Sequence, residues 1–505
     1  MPAKQKKLIV EQGFAVVEVI IAMVILILTL SAVTMVSFGS QSLLIDSQTN
    51  AEAVSLAQEL LENEQALARQ DFNLVNPVPL TAEDIYQKKV DVVTQADHLT
   101  KLVTVTITWV GEPKRDLSTS LSTLVTNFDN AEGGDTADSV LTPSGDAWKN
   151  PQIKNSVNDF GQLVGDVSSS YTLTDADAYQ GKLYVSAGQT THKTDPTFFI
   201  FDITNPVSPF LISGGQLDNA IDTTAGLNAL VTDGRYVYAA SATSSNFSIC
   251  SQSSGCAQLQ VFDVQNPSSP HLEANYKIPG VTGSGGQAVG KSIFYKSGYI
   301  YLGLTKTGAG PEFNIIDVRN PSNPMLVGGY NVGDSVNSIF IKGRYAFVSK
   351  AGGHELLVLN ISNPASPTLA GKFDTTSGDS QSVALVGDTL YLGTVSPAKF
   401  LVLNNSDPSD LQINNPCPAE QGISGGLKGL ITRDYLTFVL SDSDLQVWKI
   451  DLKASPWQIS QWAAAPLALP SSGGLVGPSF DGEGNYFFVV SNDSGNSGHL
   501  FVIAP

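Results

Sequence analysis

Few residues in this chain stand in spacings that could do chemistry. Five histidines, His98, His192, His271, His354 and His499, are scattered without a His-x-x-x-His pair, and no cysteine cluster accompanies them. No local zinc-binding pattern is therefore encoded. The glycine-rich piece Gly283-Ser284-Gly285-Gly286 lacks the strand-to-helix setting and the lysine of a phosphate loop. Asp442, Asp444 and the turn Asn492–Asn496 offer oxygens of the kind calcium takes, but each also reads as a solvated turn. Cys250 and Cys256 enclose Ser-Gln-Ser-Ser-Gly and suit a disulfide pinning a surface loop, with a redox pair or a metal clip as alternatives. Cys417, between two prolines, is left over as an inert thiol. The expectation is a protein that is not an enzyme and carries no cofactor or metal.

One further acid stands out. From Phe14 to Val36 the chain carries a single charge, Glu18, among residues such as Ile20, Ile21, Val24, Ile25, Leu26, Ile27 and Leu28. About 20 apolar residues suffice for a helix to cross a bilayer. Lys4, Lys6 and Lys7 precede the run and would keep that end in the cytoplasm, so that the chain beyond the run is exported. A carboxylate inside such a span costs roughly 2.5–3.5 kcal/mol and needs a partner, and none lies nearby in the sequence. A plain anchor gives the same hydropathy without explaining the acid. A secretory signal has a shorter apolar core, of about 7–15 residues.

Gly13-Phe14 with Glu18 resembles the leader of type IV prepilins and of the related pseudopilins. The resemblance implies cleavage by a prepilin peptidase between Gly13 and Phe14, N-methylation of Phe14, and pairing of Glu18 with a neighbour's terminal amine as pilins pack into a filament. Ala57-Gln58-Glu59-Leu60-Leu61-Glu62 looks like minor pilins of the PilV or GspI type. Met35 stands where major pilins have a proline, so a smooth helix is expected.

The elements that would carry these residues follow from periodicity. Ala51, Val54, Ala57, Leu60, Leu61 and Leu67 recur at threes and fours between glutamates, prolonging the helix to about residue 70. After Asn76-Pro77 the period becomes two. Lys88–Val93, then Val103, Val105, Ile107 and Trp109 alternating with threonines, then Ser118–Asn127, read as a small antiparallel sheet needing a helix as cover. The expected fold class is thus an α+β pilin module, with a long N-terminal transmembrane helix and a small sheet, followed by an all-β domain. Its segments are leader 1–13, helix 14–70, sheet 71–128 and a polar linker 129–147.

From 148 to 505 the chain repeats. Aromatic anchors Tyr184, Tyr238, Tyr301, Phe347, Tyr391, Phe438 and Phe488 each open a strand, and a second strand succeeds each one. Four of those second strands end in Asn-Pro turns, at Asn205, Asn266, Asn320 and Asn363. Leu356–Asn360 with its Asn-Pro turn looks like the LVIVD repeat of β-propellers, and seven units imply a seven-bladed ring. The last unit lacks an outer strand, which Gln152–Lys154 or Gln162–Val164 would supply to close the ring.

Formal net charge is −19, and loss of three lysines and Glu11 with the leader would make it −21. So acidic a chain is not expected to bind nucleic acid. The expected role is a minor type IV pilin displaying the propeller as an adhesive or ligand-binding head for a surface, glycan or protein. The alternatives are a type II secretion pseudopilin engaging exported cargo and a surface-anchored propeller enzyme. The expected location is a single pass of the cytoplasmic membrane through Phe14–Val36, N-terminus inside, and then the pilus or cell surface. The starts of the inner strands, near Asp175, Asn228, Lys291, Asn337, Gln381 and Lys428, form a polar rim as candidate ligand contacts.

Overall fold

Helix α1 (Lys7–Gln70) runs 64 residues without interruption, and its sequence contains no proline to break it. The computed structural model describes residues 7–70, 75–83, 85–94, 100–111, 114–126, 145–165, 171–188, 196–213, 226–241, 257–281, 288–352, 356–374, 379–386, 389–395, 398–405, 407–413, 420–423, 425–433, 436–451, 458–469 and 474–505. Within α1, side chains are described for Ile20–Met35 and for most of Gln48–Ala68. The chain divides into two units, Met1–Asn127 and Phe128–Pro505.

In the first unit, strands β1 (Val78–Glu83), β2 (Tyr86–Thr94), β3 (Thr100–Gly111) and β4 (Arg115–Thr126) form one antiparallel sheet in sequence order. Val103, Val105, Ile107 and Trp109 are buried, as their alternation requires, against Ala53, Ala57, Leu61 and Ala68 of α1. Alanines at the contact let the helix backbone lie close to the sheet. On the outer face, Thr104 pairs with Ser122 at 2.9 Å and Thr106 with Ser120 at 3.0 Å. Strand β1 is not legible from sequence because Pro79 interrupts it. An edge strand tolerates the missing N–H.

The earlier half of α1 is different. From Ile20 to Met35 every side chain is exposed, on all sides of the helix. Thr29 and Thr34 donate their hydroxyls to Leu26 O and Leu30 O of the same helix, so the stretch presents mainly apolar groups outward.

The expected fold class and location are corrected by these residues. Among the described residues, no helix is long and apolar enough to cross a membrane. The transmembrane helix of the expected α+β pilin module is therefore withdrawn, and so is the single-pass location drawn from it, with its onward path to pilus or cell surface. The described chain is predominantly β, in eight antiparallel sheets.

Seven of those sheets make up the second unit. A 3-10 turn (Gly145–Lys149) leads into β5 (Gln152–Val157), and a short helix α2 (Phe160–Val164) comes next. Blade 1 contains β6 (Leu173–Tyr179), β7 (Lys182–Ala187), β8 (Phe198–Asp202) and β9 (Phe210–Ser213). Blade 2 contains β10 (Leu227–Thr232), β11 (Tyr236–Ser241), β12 (Leu259–Asp263) and β13 (His271–Tyr276). Blade 3 contains β14 (Gly290–Lys296), β15 (Tyr299–Leu304), β16 (Phe313–Asp317) and β17 (Met325–Tyr330). Blade 4 contains β18 (Val336–Lys342), β19 (Tyr345–Lys350), β20 (Leu356–Asn360) and β21 (Thr368–Phe373).

Blade 5 contains β22 (Ser380–Val386), β23 (Thr389–Val395) and β24 (Ala398–Asn404), with β25 (Gln412–Ile413) and β26 (Glu420–Gly422) both pairing with β24. Blade 6 contains β27 (Gly429–Arg433), β28 (Leu436–Leu440), β29 (Asp444–Asp451) and β30 (Gln458–Pro466). Blade 7 contains β31 (Val476–Glu483), β32 (Tyr486–Asn492) and β33 (Gly498–Ala504). Its fourth strand is β5, which pairs with β33 and closes the ring. Inner strands touch in cyclic order β6, β10, β14, β18, β22, β27, β31 and back to β6.

Each pair of neighbouring blades shares one apolar core. The middle strands are buried on both faces, which explains their unbroken apolar runs. Each fully buried Phe, Ile or Leu contributes roughly 1.5–3 kcal/mol. Four of the third strands end on an acid or amide whose oxygen caps the second N–H beyond it: Asp202 to Thr204, Asp263 to Gln265, Asp317 to Arg319 and Asn360 to Ser362, at 2.8–3.0 Å. The Asn-Pro turn comes at once after it, and this repeated punctuation sets the blade length.

One of the two pieces proposed for closure folds otherwise. Phe160–Val164 is the helix α2, because Asp159 accepts from Gln162 N at its start and Gly165 takes φ 79° at its end.

Candidate functional site

The rim residues come from a recurrent distortion. The pairing of inner with second strand slips by one residue between Leu173 and Asp175, Leu227 and Ala229, Gly290 and Ser292, Val336 and Ser338, and Ser380 and Ser382. The residue left out of register in each case is Thr174, Asn228, Lys291, Asn337 or Gln381. Such bulges re-aim a side chain, and here several are aimed at the next blade. Thr174 Oγ1 donates to Leu227 O at 2.7 Å, Asn228 Nδ2 to Gly290 O at 2.7 Å, and Asn337 Nδ2 to Ser380 O at 2.6 Å. Between blades 3 and 4, Ser292 Oγ donates to Val336 O at 3.2 Å and Lys291 Nζ to Asn337 Oδ1 at 2.5 Å. Burial holds Lys291 below the usual lysine pKa.

The structure thus ties Asn228, Lys291 and Asn337 into blade-to-blade clasps. Gln381 and Lys428 lie half-buried at the starts of blades 5 and 6. Asp175 is one residue out of step with the others. The bulge at Thr174 places it one position deeper, where Ser292, Ser338, Ser382 and Ser479 stand in other blades.

At that deeper level Asp175 joins two more acids at the junction of blades 7 and 1. Its Oδ1 accepts from Ser479 Oγ at 2.6 Å and its Oδ2 from Leu230 N at 2.9 Å. Asp177 Oδ2 accepts from Thr232 N at 2.6 Å, and Asp481 Oδ2 accepts from Ala178 N at 2.8 Å. Burial pushes the Asp175 carboxyl up to about 6. Asp177 is raised well above the usual carboxylate range, first by burial and then by the charge of Asp481, to which it is hydrogen-bonded. Arg433 sits beside Asp481 and offsets part of the burial that raises it. Arg433 also donates to Gly482 O and Gly484 O at 2.5 Å and lies 4.5 Å over the Phe487 ring.

The opposite ends of the inner strands build a different feature. A cleft of ≈ 530 Å³ opens between blades 2 and 3, lined among others by Asp233, Arg235, Tyr236, Tyr238, Tyr295 and Arg319. Two tight hairpins make it. Asp233 Oδ1 accepts from Arg235 N at 3.0 Å and Tyr236 N at 2.7 Å, and its Oδ2 accepts from the Tyr238 hydroxyl at 3.1 Å. In blade 3, Ser297 and Gly298 take φ 49° and 81°, as a two-residue hairpin with both central angles positive requires. A Cβ at Gly298 would come within 2.5 Å of Arg319 Cγ, so only glycine lets that arginine lie across the turn.

The aromatic wall is ordered by stacking. Tyr238 and Tyr295 stack at 5.4 Å and 9° between ring planes. Arg235 lies 5.0 Å from the Tyr236 ring centre, and Arg319 lies 5.4 Å from that of Tyr299. Arg319 also grips Asp317 through Nε and Nη2, at 3.0 and 2.5 Å, which lowers the Asp317 pKa. Burial and the Asp233 charge push the Tyr238 hydroxyl upward, so it stays protonated as a donor. Flat aromatic faces, fixed guanidinium groups and a carboxylate gathered in one concavity can bind a polar, ring-shaped or peptide-like ligand. The sequence offered the polar rim as a candidate surface, and this cleft is a second one at the other end of the inner strands. The sequence signal for the cleft is an aromatic residue beside a turn with an arginine, at Arg235-Tyr236 and at Gly298-Tyr299 with Arg319.

Gly13, Phe14 and Glu18 lie in the backbone of α1, with side chains outside the described residues. Cys250, Cys256 and Cys417 also fall outside the described residues, and so does their pairing. Two of the acids weighed for calcium serve turns. Asp493 Oδ1 accepts from Gly495 N and Ser497 N at 2.8 and 2.9 Å, and Asp444 Oδ1 from Ser441 Oγ at 2.5 Å.

Fold and site together define a β-propeller with LVIVD repeats. The LVIVD repeat family matches residues 255–278, 292–332 and 333–375, which take in the outer half of blade 2 and blades 3 and 4. No match is found among curated proteins. Solved structures similar to the chain include a putative 6-phosphogluconolactonase from Bacteroides uniformis, 10% identical, covering 72% of this chain and 95% of that one at a TM-score of 0.43. A putative 6-phosphogluconolactonase from Bacteroides fragilis is 10% identical, covering 76% and 95% at 0.41. A protein from Lactobacillus plantarum is 11% identical, covering 60% and 85% at 0.41. At these scores the architecture rests on the strand order of the chain itself.

Proposed function

We propose that this chain is a minor-pilin-type assembly subunit whose propeller is a ligand-binding head. The observation that carries the assembly half is the exposed apolar stretch Ile20–Met35, which has no cover among the described residues of its own unit. A helix that is apolar all round needs burial on every side. Like helices from further pilin subunits supply it, and Glu18 of one chain pairs with the terminal amine of another, as the prepilin resemblance implies. Processing by a prepilin peptidase would expose Phe14 as that amine. The head binds through the cleft between blades 2 and 3, and its stacked tyrosines and paired arginines favour a glycan among the ligands considered.

The test is mass spectrometry of the protein from its native cells together with an assembly assay. A chain beginning at N-methylated Phe14 is expected, and Glu18→Ala is expected to fold but fail to co-assemble. A chain retaining residues 1–13 in the assembled fraction would sink the reading.

A further inference from the structure

We infer that the outer edge of blade 2 holds a divalent transition-metal site formed by Asp263, His271 and Glu273. One ligand atom from each lies within 4.8 Å of the other two. The backbone explains why they meet. Asp263, at the end of β12, is the direct cross-strand partner of His271, at the start of β13. Glu273 comes two residues later, and the pairing slips there, from Phe262–Leu272 to Val261–Ala274, leaving Glu273 as the bulged residue. The bulge turns its carboxylate back toward the histidine, with Oε2 3.3 Å from His271 Nε2.

Each carboxylate is already half-anchored. Asp263 Oδ1 accepts from Gln265 N at 2.9 Å, and Glu273 Oε1 accepts from the Ser322 hydroxyl of the following blade. Such second contacts orient metal ligands and leave the other oxygen for the ion. Zinc bonds to nitrogen and oxygen run about 2.0–2.2 Å in tetrahedral geometry, so two ligands of one ion stand roughly 3.3–3.6 Å apart. Small side-chain rotations close the gap, and the His271 side chain is 57% exposed, leaving the approach open.

The other blades supply the internal control. Where blade 2 has His271 and bulged Glu273, blade 1 has Phe210 and Ile212, blade 3 has Met325 and Val327, and blade 4 has Thr368 and Ala370. The strand pairing is the same in all four, so the fold does not require a histidine or an acid there. Asp202 and Asp317, the counterparts of Asp263, cap the same turn, which accounts for Asp263 but not for its two neighbours. One imidazole with two carboxylates suits zinc and its neighbours in the first transition row, with water completing the shell. Arg235 Nη2, 3.9 Å from Asp263 Oδ2, is the cation that a metal would displace from that oxygen.

The experiment is a zinc titration of the full chain against a chromogenic chelator, with the melting temperature recorded with and without zinc. Wild type is expected to take up zinc at micromolar concentration and to melt higher with it. His271→Ala and the near-isosteric Glu273→Gln should each weaken uptake at least tenfold and abolish the melting shift. Arg235→Gln should tighten uptake. Absence of zinc uptake by wild type overturns the site. So does unchanged uptake by folded His271→Ala, or by Glu273→Gln should the histidine variant fail to fold.

Discussion

Asn492, in the second strand of the last blade, holds the backbone of Leu173 in the first blade by both of its polar groups. Leu173 N donates to Asn492 Oδ1 at 2.6 Å, and Asn492 Nδ2 donates to Leu173 O at 2.8 Å. The same amide reaches Val476 O at 3.1 Å. At this junction Asn492 does for Leu173 what Asn228 does for Gly290 and Asn337 for Ser380. Asn492→Leu is therefore expected to leave a buried N–H and C=O unpaired, costing roughly 2–4 kcal/mol. Differential scanning calorimetry should show the propeller transition lowered by several degrees. An unchanged midpoint would mean that the apolar core alone closes the ring.

The acids at this seam make stability depend on pH. Asp175, Asp177 and Asp481 all titrate above their usual range in the folded protein. The native state then holds protons that the unfolded chain releases, so ΔG of unfolding falls as pH rises from about 4 through the folded value of about 6 for Asp175. The propeller should melt at higher temperature at pH 5 than at pH 7.5. Asp177→Asn keeps the acceptor for Thr232 N and removes a charge, so it should raise the midpoint at pH 7.5 and flatten the dependence. A wild-type midpoint that climbs from pH 5 to 7.5 would contradict this.

The proposed ligand-binding head has two candidate surfaces, and paired variants separate them. Tyr236→Ala and Arg319→Ala alter the cleft, and each is expected to weaken binding of whichever glycan scores on an array by at least tenfold. Gln381→Ala with Lys428→Ala alters the opposite rim and should leave that binding unchanged. The reverse pattern would move the site to the rim.

Trp148 is fully buried, edge-on to Phe438 at 4.8 Å and to Phe487 at 5.4 Å, where blades 6 and 7 meet. Trp148→Ala should cost roughly 3–5 kcal/mol, as large aromatic deletions from cores do. Intrinsic fluorescence during urea unfolding should show the transition at lower denaturant. Less than about 1 kcal/mol would indicate that the tryptophan is dispensable.

The repeat was legible because every blade must bury its second and third strands on both faces and then turn sharply. Anchors such as Tyr301 and Phe347 and stops such as Asp317–Pro321 and Asn360–Pro364 write that requirement into the sequence. The strand that completes blade 7 was legible from the missing fourth strand. Phe160–Val164 was not, because five residues carry too little periodicity to tell strand from helix. The bulge at Thr174 hid the true depth of Asp175, since counting residues from the hairpin assumes unbroken pairing. The cleft could not be read at all as a unit. Its walls come from residues 233–238, 295–298 and 318–321, which meet only when blades stack. Asp177 and Asp481 lie at the two ends of the repeat array for the same reason.

The route by which the chain enters the ring has a mechanical consequence. Everything N-terminal to the propeller is tethered through residues 145–152, and β5 is paired with one strand, β33, and not with the blade that comes after it in sequence. A pull on the chain from its N-terminal side would therefore meet Trp148, wedged between two blades, before the β5–β33 ladder. The indole works as a stopper on the tether. While it holds, a pull on the chain does not reach the strand that closes the ring.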